Sequence, residues 1–573
     1  MPRLHQAKLC WVHNMAAPES RKQFLQKQLA QLVTARTSYD SHWKELCDFI
    51  LPNCGRFLTT DAGRNKRNTK VVDPTGGLAS RTLESGMLSG ITSPTRPWFS
   101  LSTPNKQLMD SWPVKMWLSQ VVELMNDVMN KSNWYQSLPV LYRYLGTVGT
   151  GAIAILEDDE DVIRTHVFPI GSYYISNSDR LQVDTVFRKF SMTCRQLVAR
   201  FGLENVSQAV ASAWDTGSYE QWFEVVHVVM PNTNRDTGKL SAKNKRYSSV
   251  YFEPGGDGDK LLNESGFDEM PILVPRWDIN GEDAYGSSCP GMLALGGIKA
   301  LQLQQKRKDQ AIDKLVNPPM MAPSSMRNER LSLLPGDVSY INGAGDMGGF
   351  KPVYEINPRI NELIASIQDS RELTNECYFV PLFNMFSNIN TRSMPTEAVS
   401  EMRDEKMLQL GPVLERLNDE FLDPAIDRIF NIMLRRNLLP PPPEELQGQP
   451  LRVEYTSVMA QAQKAVGIGS IERYVGFIGN LAQANPAALD KLDVDQAIDS
   501  YGDMLGVPTT ITKSDEQVQA ERQQRAQQQQ AQQALEMGAQ SADIAKTLSQ
   551  SGTGEQNLLT NMAQAAQQGA PQQ

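Results

Sequence analysis

At 573 residues the chain is too long for one hydrophobic core, because single cores stop growing at roughly 250 to 300 residues, so two or more structural regions are expected. With 40% hydrophobic and 21% charged residues it is not globally disordered. Its formal net charge of -9, from 65 acidic against 56 basic residues, argues against a strongly basic DNA-gripping face, which needs Lys and Arg in excess to displace counterions from phosphate.

In chain order, residues 1–18 read as an N-terminal extension, and Met15, followed by Ala16, Ala17 and Pro18, offers a second start of translation that would leave the first fourteen residues untranslated. Leu9 to Val12 is too short for the apolar core of a signal peptide. No run approaches the roughly 20 apolar residues of a membrane span, so no membrane partner is expected. From Glu19 to Ile50 the apolar residues recur at helical spacing, and Leu51-Pro52 ends that run. A polar loop (53–75) precedes a glycine-punctuated helix from Gly76 to Leu88, a long turn through Pro94 and Pro97, and two helices, Trp112 to Asn130 and Trp134 to Leu145.

The period then drops from 3.6 to 2. Strands are predicted at Gly151 to Leu156, Val162 to Phe168, Tyr173 to Ser176, Val183 to Phe190, Phe223 to Met230, Tyr247 to Glu253 and Ile272 to Trp277, forming a mixed sheet interrupted by one helix, Cys194 to Phe201. The fold class is therefore α+β. Helical spacing returns at Gly291 to Val316, a helix of about 26 residues and roughly 39 Å. It reads as too polar all round to be a core element of its own subunit, so it is expected to pack on other chains or line water. A Pro- and Gly-rich excursion (317–355) leads to a second helix, Pro358 to Glu376, and an irregular segment, Tyr378 to Met394. The longest helical pattern, Pro395 to Leu439, should kink at Gly411-Pro412 and at Pro424. The tetraproline Pro440 to Pro443 marks a boundary before a small helical module (451–507), a Gln- and Ala-rich stretch of helical propensity from Ser514 to Ser551 that is either disordered or bundled with copies of itself, and a tail expected to be disordered.

Signals for catalysis are weak. Gly343-Ala344-Gly345-Asp346-Met347-Gly348 matches GxGxxG, but no helix follows to present its N-terminus to phosphate. Gly146 to Gly151 resembles a phosphate loop without the closing Lys-Ser or Lys-Thr. The acidic run Glu157 to Asp161 could hold a divalent cation, and reads more simply as a hairpin tip. The six cysteines are far apart and read as reduced thiols, the five histidines show no ligand spacing, and no GxSxG elbow occurs. No cofactor, metal or enzymatic activity is assigned.

The order of parts nevertheless has a shape, and three spaced signatures sharpen it. Val72-Asp73-Pro74-Thr75-Gly76 leads into Ser85-Gly86-Met87-Leu88-Ser89-Gly90-Ile91-Thr92-Ser93-Pro94 and ends in Pro97-Trp98-Phe99. Ala294-Leu295-Gly296-Gly297-Ile298-Lys299 is followed by Asp313-Lys314 and Asn317-Pro318-Pro319. Thr396-Glu397-Ala398 precedes Leu410-Gly411-Pro412-Val413-Leu414-Glu415-Arg416-Leu417 and Glu420-Phe421-Leu422. Over roughly residues 20 to 440 the chain resembles the portal proteins, or head-to-tail connectors, of short-tailed bacteriophages.

The resemblance implies a portal fold with a wing of helices and mixed sheet (19–289), stem helix 1 (290–316), a clip (317–356), stem helix 2 (357–377), a channel loop (378–394), a long kinked wing helix (395–440), a crown (441–512), a Gln/Ala-rich helix extending it as a barrel (513–552) and a tail (553–573). It implies a dodecameric ring at one capsid vertex, assembled in the host cytoplasm, through which double-stranded DNA is packaged and ejected. Its partners would be the terminase, a tail adaptor, the major capsid protein and internal core or ejection proteins. Asn384, Asn388, Asn390 and Arg392 of the channel loop would touch phosphates weakly while Phe383 and Phe386 anchor it. Lys299, Lys306, Arg307, Lys308 and Lys314 of the stem would pair with acids of the next subunit, or line the channel. Pro318, Pro319, Arg327, Arg330 and Tyr340 of the clip would meet terminase and adaptor. Two other readings stay open: a different virion component such as a minor head protein, which predicts no ring, and a metal-dependent nucleic-acid enzyme using the acidic run.

Overall fold

A computed structural model describes residues 20–52, 54, 71–95, 97–105, 108, 111–239, 241–256, 258–316, 320–321, 351–352, 360–387, 410–446, 451–455, 473–482, 492–505 and 515–550. Helix α1 (Arg21–Phe49) is a single helix begun by a capping box, in which Ser20 and Gln23 satisfy each other's backbone N–H groups. Helices α2 (Thr75–Gly90), α3 (Trp112–Lys131, with Pro113 in its first turn) and α4 (Trp134–Val148) follow, and the short strand β1 (Phe99–Ser102) lies between α2 and α3.

The strands form separate small sheets. The hairpin β2 (Ile153–Asp158) and β3 (Val162–Val167) is joined by β9 (Ile272–Leu273) in the order β3-β2-β9. A five-stranded meander runs β4 (Tyr173–Asn177), β5 (Val183–Thr193), β6 (Trp222–Pro231), β7 (Tyr247–Phe252) and β8 (Asn263–Phe267). Helices α5 (Cys194–Phe201) and α6 (Gln208–Asp215) fill the β5–β6 connection. Every strand pair among the described residues is antiparallel, so for these strands the expected mixed sheet is corrected. The reason lies in the connections: three residues link β2 to β3 and five link β4 to β5, too few for the crossover that a parallel pair demands. The sequence reading also missed α6 and β8.

The side chains of β6 alternate between two cores. Val226 and Val228 pack with Leu25 and Leu29 of α1, Phe187, Val250 and Phe252. Val225 faces the other way, toward Leu197, Phe201 and Val210 of α5 and α6. The largest core joins the second half of α1 to α2, α3, α4 and the three-stranded sheet. It also takes in α7 (Pro290–Val316), α9 (Val380–Ser387) and α10, a helix over residues 410–435.

Helix α10 contains a π turn at Asn418–Leu422, after which the α-helix resumes at Asp423–Arg435. Pro424 explains it. Lacking an N–H, and with a ring that crowds the carbonyl four residues back, it disfavours regular pairing there. The Asp423 amide instead donates to Asn418, five residues back. The kink expected at Pro424 is thus a widened turn inside a continuing helix. Residues 395–409 lie outside the described set.

Beyond the tetraproline the chain does not leave the body at once. Strand β12 (Arg452–Tyr455) pairs with β1, Phe99 opposite Tyr455, and the Trp117 indole donates to the carbonyl of Pro440 at 3.0 Å. The chain past the boundary expected at 441 thus still packs on the body through this strand. A helix over 473–482, then α12 (Val494–Leu505) and α13 (Asp515–Gln550), complete the described elements. Here α11 denotes the helix over 473–482, and strands β10 (Met320–Met321) and β11 (Lys351–Pro352) are a short antiparallel pair.

Candidate functional site: the stem pair and its junction with the body

Helix α7 changes character along its length. In its first half Pro290, Gly291, Ala294, Leu295, Ile298, Leu301 and Gln302 are buried. Gly291 is required, because a Cβ there would lie 2.3 Å from the Thr147 carbonyl oxygen. From residue 303 onward no residue of α7 is buried. The expectation that this helix cannot be a core element of its own subunit is therefore corrected for its first half. Its polarity is graded along the axis rather than spread around it, so one end embeds and the other projects.

Helix α8 (Ile360–Cys377) packs antiparallel on α7. Gln304 bridges the two, its amide donating to the Ser366 hydroxyl and its carbonyl accepting from Ser370, both at 3.1 Å. Only Ile367 and Thr374 of α8 are buried. Apolar side chains stay exposed on the projecting part: Leu303, Ile312, Leu315 and Val316 of α7, with Ile364 and Leu373 of α8. Of the stem cations, Lys306, Arg307 and Lys314 are exposed and Lys308 lies 3.8 Å from Asp309. Lys299 is placed differently from the rest, ion-paired with Glu45 of α1 in the same chain. Helix α8 carries the opposite charge, with Glu362, Asp369, Glu372 and Glu376 exposed.

The stem is tied to the body through one buried carboxylate. Gln302 accepts the backbone N–H groups of Val72 and Asp73 at 2.6 and 2.8 Å and donates to the Asp73 carbonyl at 2.9 Å. Asp73 takes a hydrogen bond from the Thr75 amide at 2.9 Å, another from its hydroxyl, and a third from the Arg371 guanidinium at 2.7 Å. Burial alone would raise its pKa, but the hydrogen bonds from Thr75 and Arg371 outweigh that and hold it below the usual carboxylate range. The sequence reading quoted Val72 to Gly76 as a signature without seeing this role. Asp-x-Thr before a helix was the available signal, whereas nothing local marks Gln302 or Arg371.

The predicted channel loop is in part a helix. Tyr378, Leu382 and Phe383 are buried, and Phe383 sits over Gly86 of α2, where a Cβ would lie 2.1 Å from its Cδ1. Phe383 is therefore packed into the body, while Asn384 is exposed on α9. Phe386 falls in α9 without a described side chain, and Asn388, Asn390 and Arg392 lie outside the described residues. So do the clip residues Pro318, Pro319, Arg327, Arg330 and Tyr340, and the GxGxxG stretch.

Helix α10 is held by two buried arginines that the sequence reading did not single out. Arg276 pairs with Glu420 of the π turn at 2.6 Å and also donates to the Leu181 carbonyl at 2.7 Å. Arg428 donates to the Ile155 carbonyl at 2.8 Å and pairs with Glu269 at 3.2 Å, and burial lowers its pKa to about 10. The end of α10 grips the β2–β3 hairpin tip, with Arg435 on Glu157 at 2.7 Å and Arg436 on Asp159 at 3.0 Å. The acidic run is thus an arginine-paired tip, and no metal-capable cluster of His, Cys, Asp or Glu occurs among the described residues. The Cys47 and Cys289 thiols are pushed up to about 12 by burial, unsuited to nucleophilic work at neutral pH.

Comparison with known proteins fits this picture. Residues 22–512 match the family described as bacteriophage head to tail connecting protein. The portal protein of Salmonella phage epsilon15 is 62% identical over 556 residues, covering 97% of this chain and 100% of that protein. The probable portal protein of Bordetella phage BPP-1 is 42% identical over 550 residues, covering 96% and 99%. Two solved structures, described as the virion of a native gene transfer agent particle and the neck of an empty one, share 12% and 10% identity. Each covers 70% of this chain and 86% of the other, at TM-scores of 0.32 and 0.33, too remote to add to the assignment. A projecting helix pair rooted in an α+β body accompanies a family match across most of the chain, and the conclusion is that the chain belongs to the bacteriophage head to tail connecting proteins, a structural family rather than an enzymatic one.

Proposed function

We propose that this chain is one subunit of a dodecameric portal ring at a single capsid vertex, through which double-stranded DNA enters during packaging and leaves at ejection. In this reading α7 and α8 form the stem, residues 317–356 the clip that meets terminase and later the tail adaptor, and the α1–α6 body the wing against the major capsid protein. Residues beyond β12 form the crown, facing internal core or ejection proteins. Residues 378–394, with α9 at their start, form the channel loop.

The observation that carries the reading is the projecting stem. Several of its leucines and isoleucines stay exposed among the described residues of one copy, and a basic α7 lies beside an acidic α8. One heterologous surface repeated about an axis would cover both and close a ring. Lys306, Arg307 and Lys314 then meet Asp369, Glu372 and Glu376 of the neighbouring copy, with the channel wall as their second destination. Asn384 is an exposed polar residue of the proposed channel loop, and Phe383, packed on Gly86, anchors it.

Negative-stain microscopy of the purified full-length chain tests this directly. Closed rings with an axial hole are expected, and uniformly monomeric particles at high concentration would favour a different virion component.

A further inference from the structure

Apart from the stem, one cavity has a chemistry that the structural role leaves unused. It lies between the five-stranded sheet and the three-stranded sheet, with a volume of about 190 Å³. A single rung of the meander lines it, because Arg188 on β5 stands opposite His227 on β6, which stands opposite Tyr251 on β7. The Arg188 guanidinium lies 4.2 Å from the Phe168 ring centroid and 4.5 Å from that of Phe190. Arg200, exposed at the end of α5, donates to the Tyr251 hydroxyl at 3.0 Å. The His227 ring stacks on Tyr251 at 3.9 Å with its Nε2 2.9 Å from the Ser249 hydroxyl. His166 stands at the rim, and Ala154, Leu156, Pro271 and Ile272 supply apolar lining.

Among the described residues no Asp or Glu lines this cavity, whereas both guanidinium groups carry permanent charge. Apolar and aromatic walls keep the effective dielectric low, so an anion entering would be held more strongly than at an open surface. Burial, then the charges of Arg188 and Arg200, drive the His227 pKa well below its usual value. Burial and the same two arginines, among others, lower that of His166. The histidines are thus neutral hydrogen-bonding groups, and the two guanidinium groups supply the positive potential. As for size, a cavity of about 150 Å³ accommodates a benzene ring.

We infer that this cavity is a binding site for a small organic anion, a carboxylate or phosphate carried on a group of about ring size, held by Arg188 and Arg200 with His166 at the rim. Two sources share that chemistry, a free solute and an acidic side chain of a neighbouring copy.

Isothermal titration of the full-length chain with phenyl phosphate and benzoate, and with benzyl alcohol as the neutral analogue, tests the inference. Assembled rings and unassembled subunits separated by size are titrated in parallel. The anions are expected to bind once per chain, at least about tenfold more tightly than the alcohol, and less tightly as salt rises. Arg200→Gln should weaken anion binding about tenfold with thermal unfolding of the unassembled subunit unchanged, and Arg200→Lys should restore part of it. Binding to rings and subunits alike identifies a free solute, and binding to subunits alone identifies the neighbour's carboxylate. Equal affinity for benzyl alcohol, no effect of Arg200→Gln, or no anion binding by either species would overturn the site.

Discussion

Arg36, Arg276 and Arg428 are among the largest fully buried side chains in the described residues, and each holds a helix to a sheet. Arg36 of α1 donates to the Tyr173 carbonyl at 2.6 Å, while the other two fix α10. Removing one partner of a buried pair leaves the other charge desolvated and uncompensated, which costs about 3–5 kcal/mol. Arg276→Ala should therefore lower the thermal unfolding temperature sharply, far more than loss of the exposed Arg195–Glu220 pair. Steric fit is as demanding at Gly86. Gly86→Ala drives a Cβ into the Phe383 ring and should cost about 1–3 kcal/mol, and adding Phe383→Leu should recover part of that in a double-mutant cycle. Asp73 gives a pH signature. Its folded pKa is depressed, so its stabilising effect is complete above the unfolded value of about 3.9 and is lost as pH falls below that toward the folded pKa. Thermal unfolding followed from about pH 5 to about pH 2 should show acid loosening that Asp73→Asn removes.

Among the elements, the stem pair separates folding from assembly. Leu303 and Leu315 are exposed in a single copy, so Leu303→Glu with Leu315→Glu should change the stability of the isolated chain by no more than about 0.5 kcal/mol per site. The same double variant should abolish rings in sedimentation velocity, because it places charge in the proposed interface. Rings persisting in this variant would exclude the distal half of α7 from the contact. Helix α10 makes the complementary point, since its π turn presents Glu420 to Arg276 where the helix also stacks Phe421 on Trp134 at 5.7 Å. The irregularity that Pro424 imposes is thus absorbed at the point where the helix is most firmly anchored.

For the whole molecule, a net charge of -9 suits the proposed conduit better than a clamp, since in that role DNA must slide and should not be held. Purified rings should retain little linear duplex DNA at physiological salt in a filter-binding assay, with a dissociation constant weaker than about 10⁻⁴ M. Tight, salt-sensitive retention would instead place the stem cations on the channel wall.

Much of this architecture is written in local pattern. Helical spacing and its stops located α1, α3, α4, α7 and α8 to within a few residues, and period-2 runs located most strands, because burial of one face leaves its period in the chain. The spaced signatures also carried the family resemblance, and two of them meet in space where Gly76 of α2 lies against Ile298 of α7, an added Cβ falling 2.8 Å from its Cδ1. What the sequence left open depends on residues far apart meeting in space. The pairing of β1 with β12 joins four-residue strands some 350 positions distant. Asp73 finds Gln302 and Arg371, Arg276 finds Glu420, and Arg188 finds His227 and Tyr251 only after the sheets and stem have packed. A buried ion pair or a polar cavity leaves no period, because its members owe their environment to tertiary contacts and not to their neighbours along the chain.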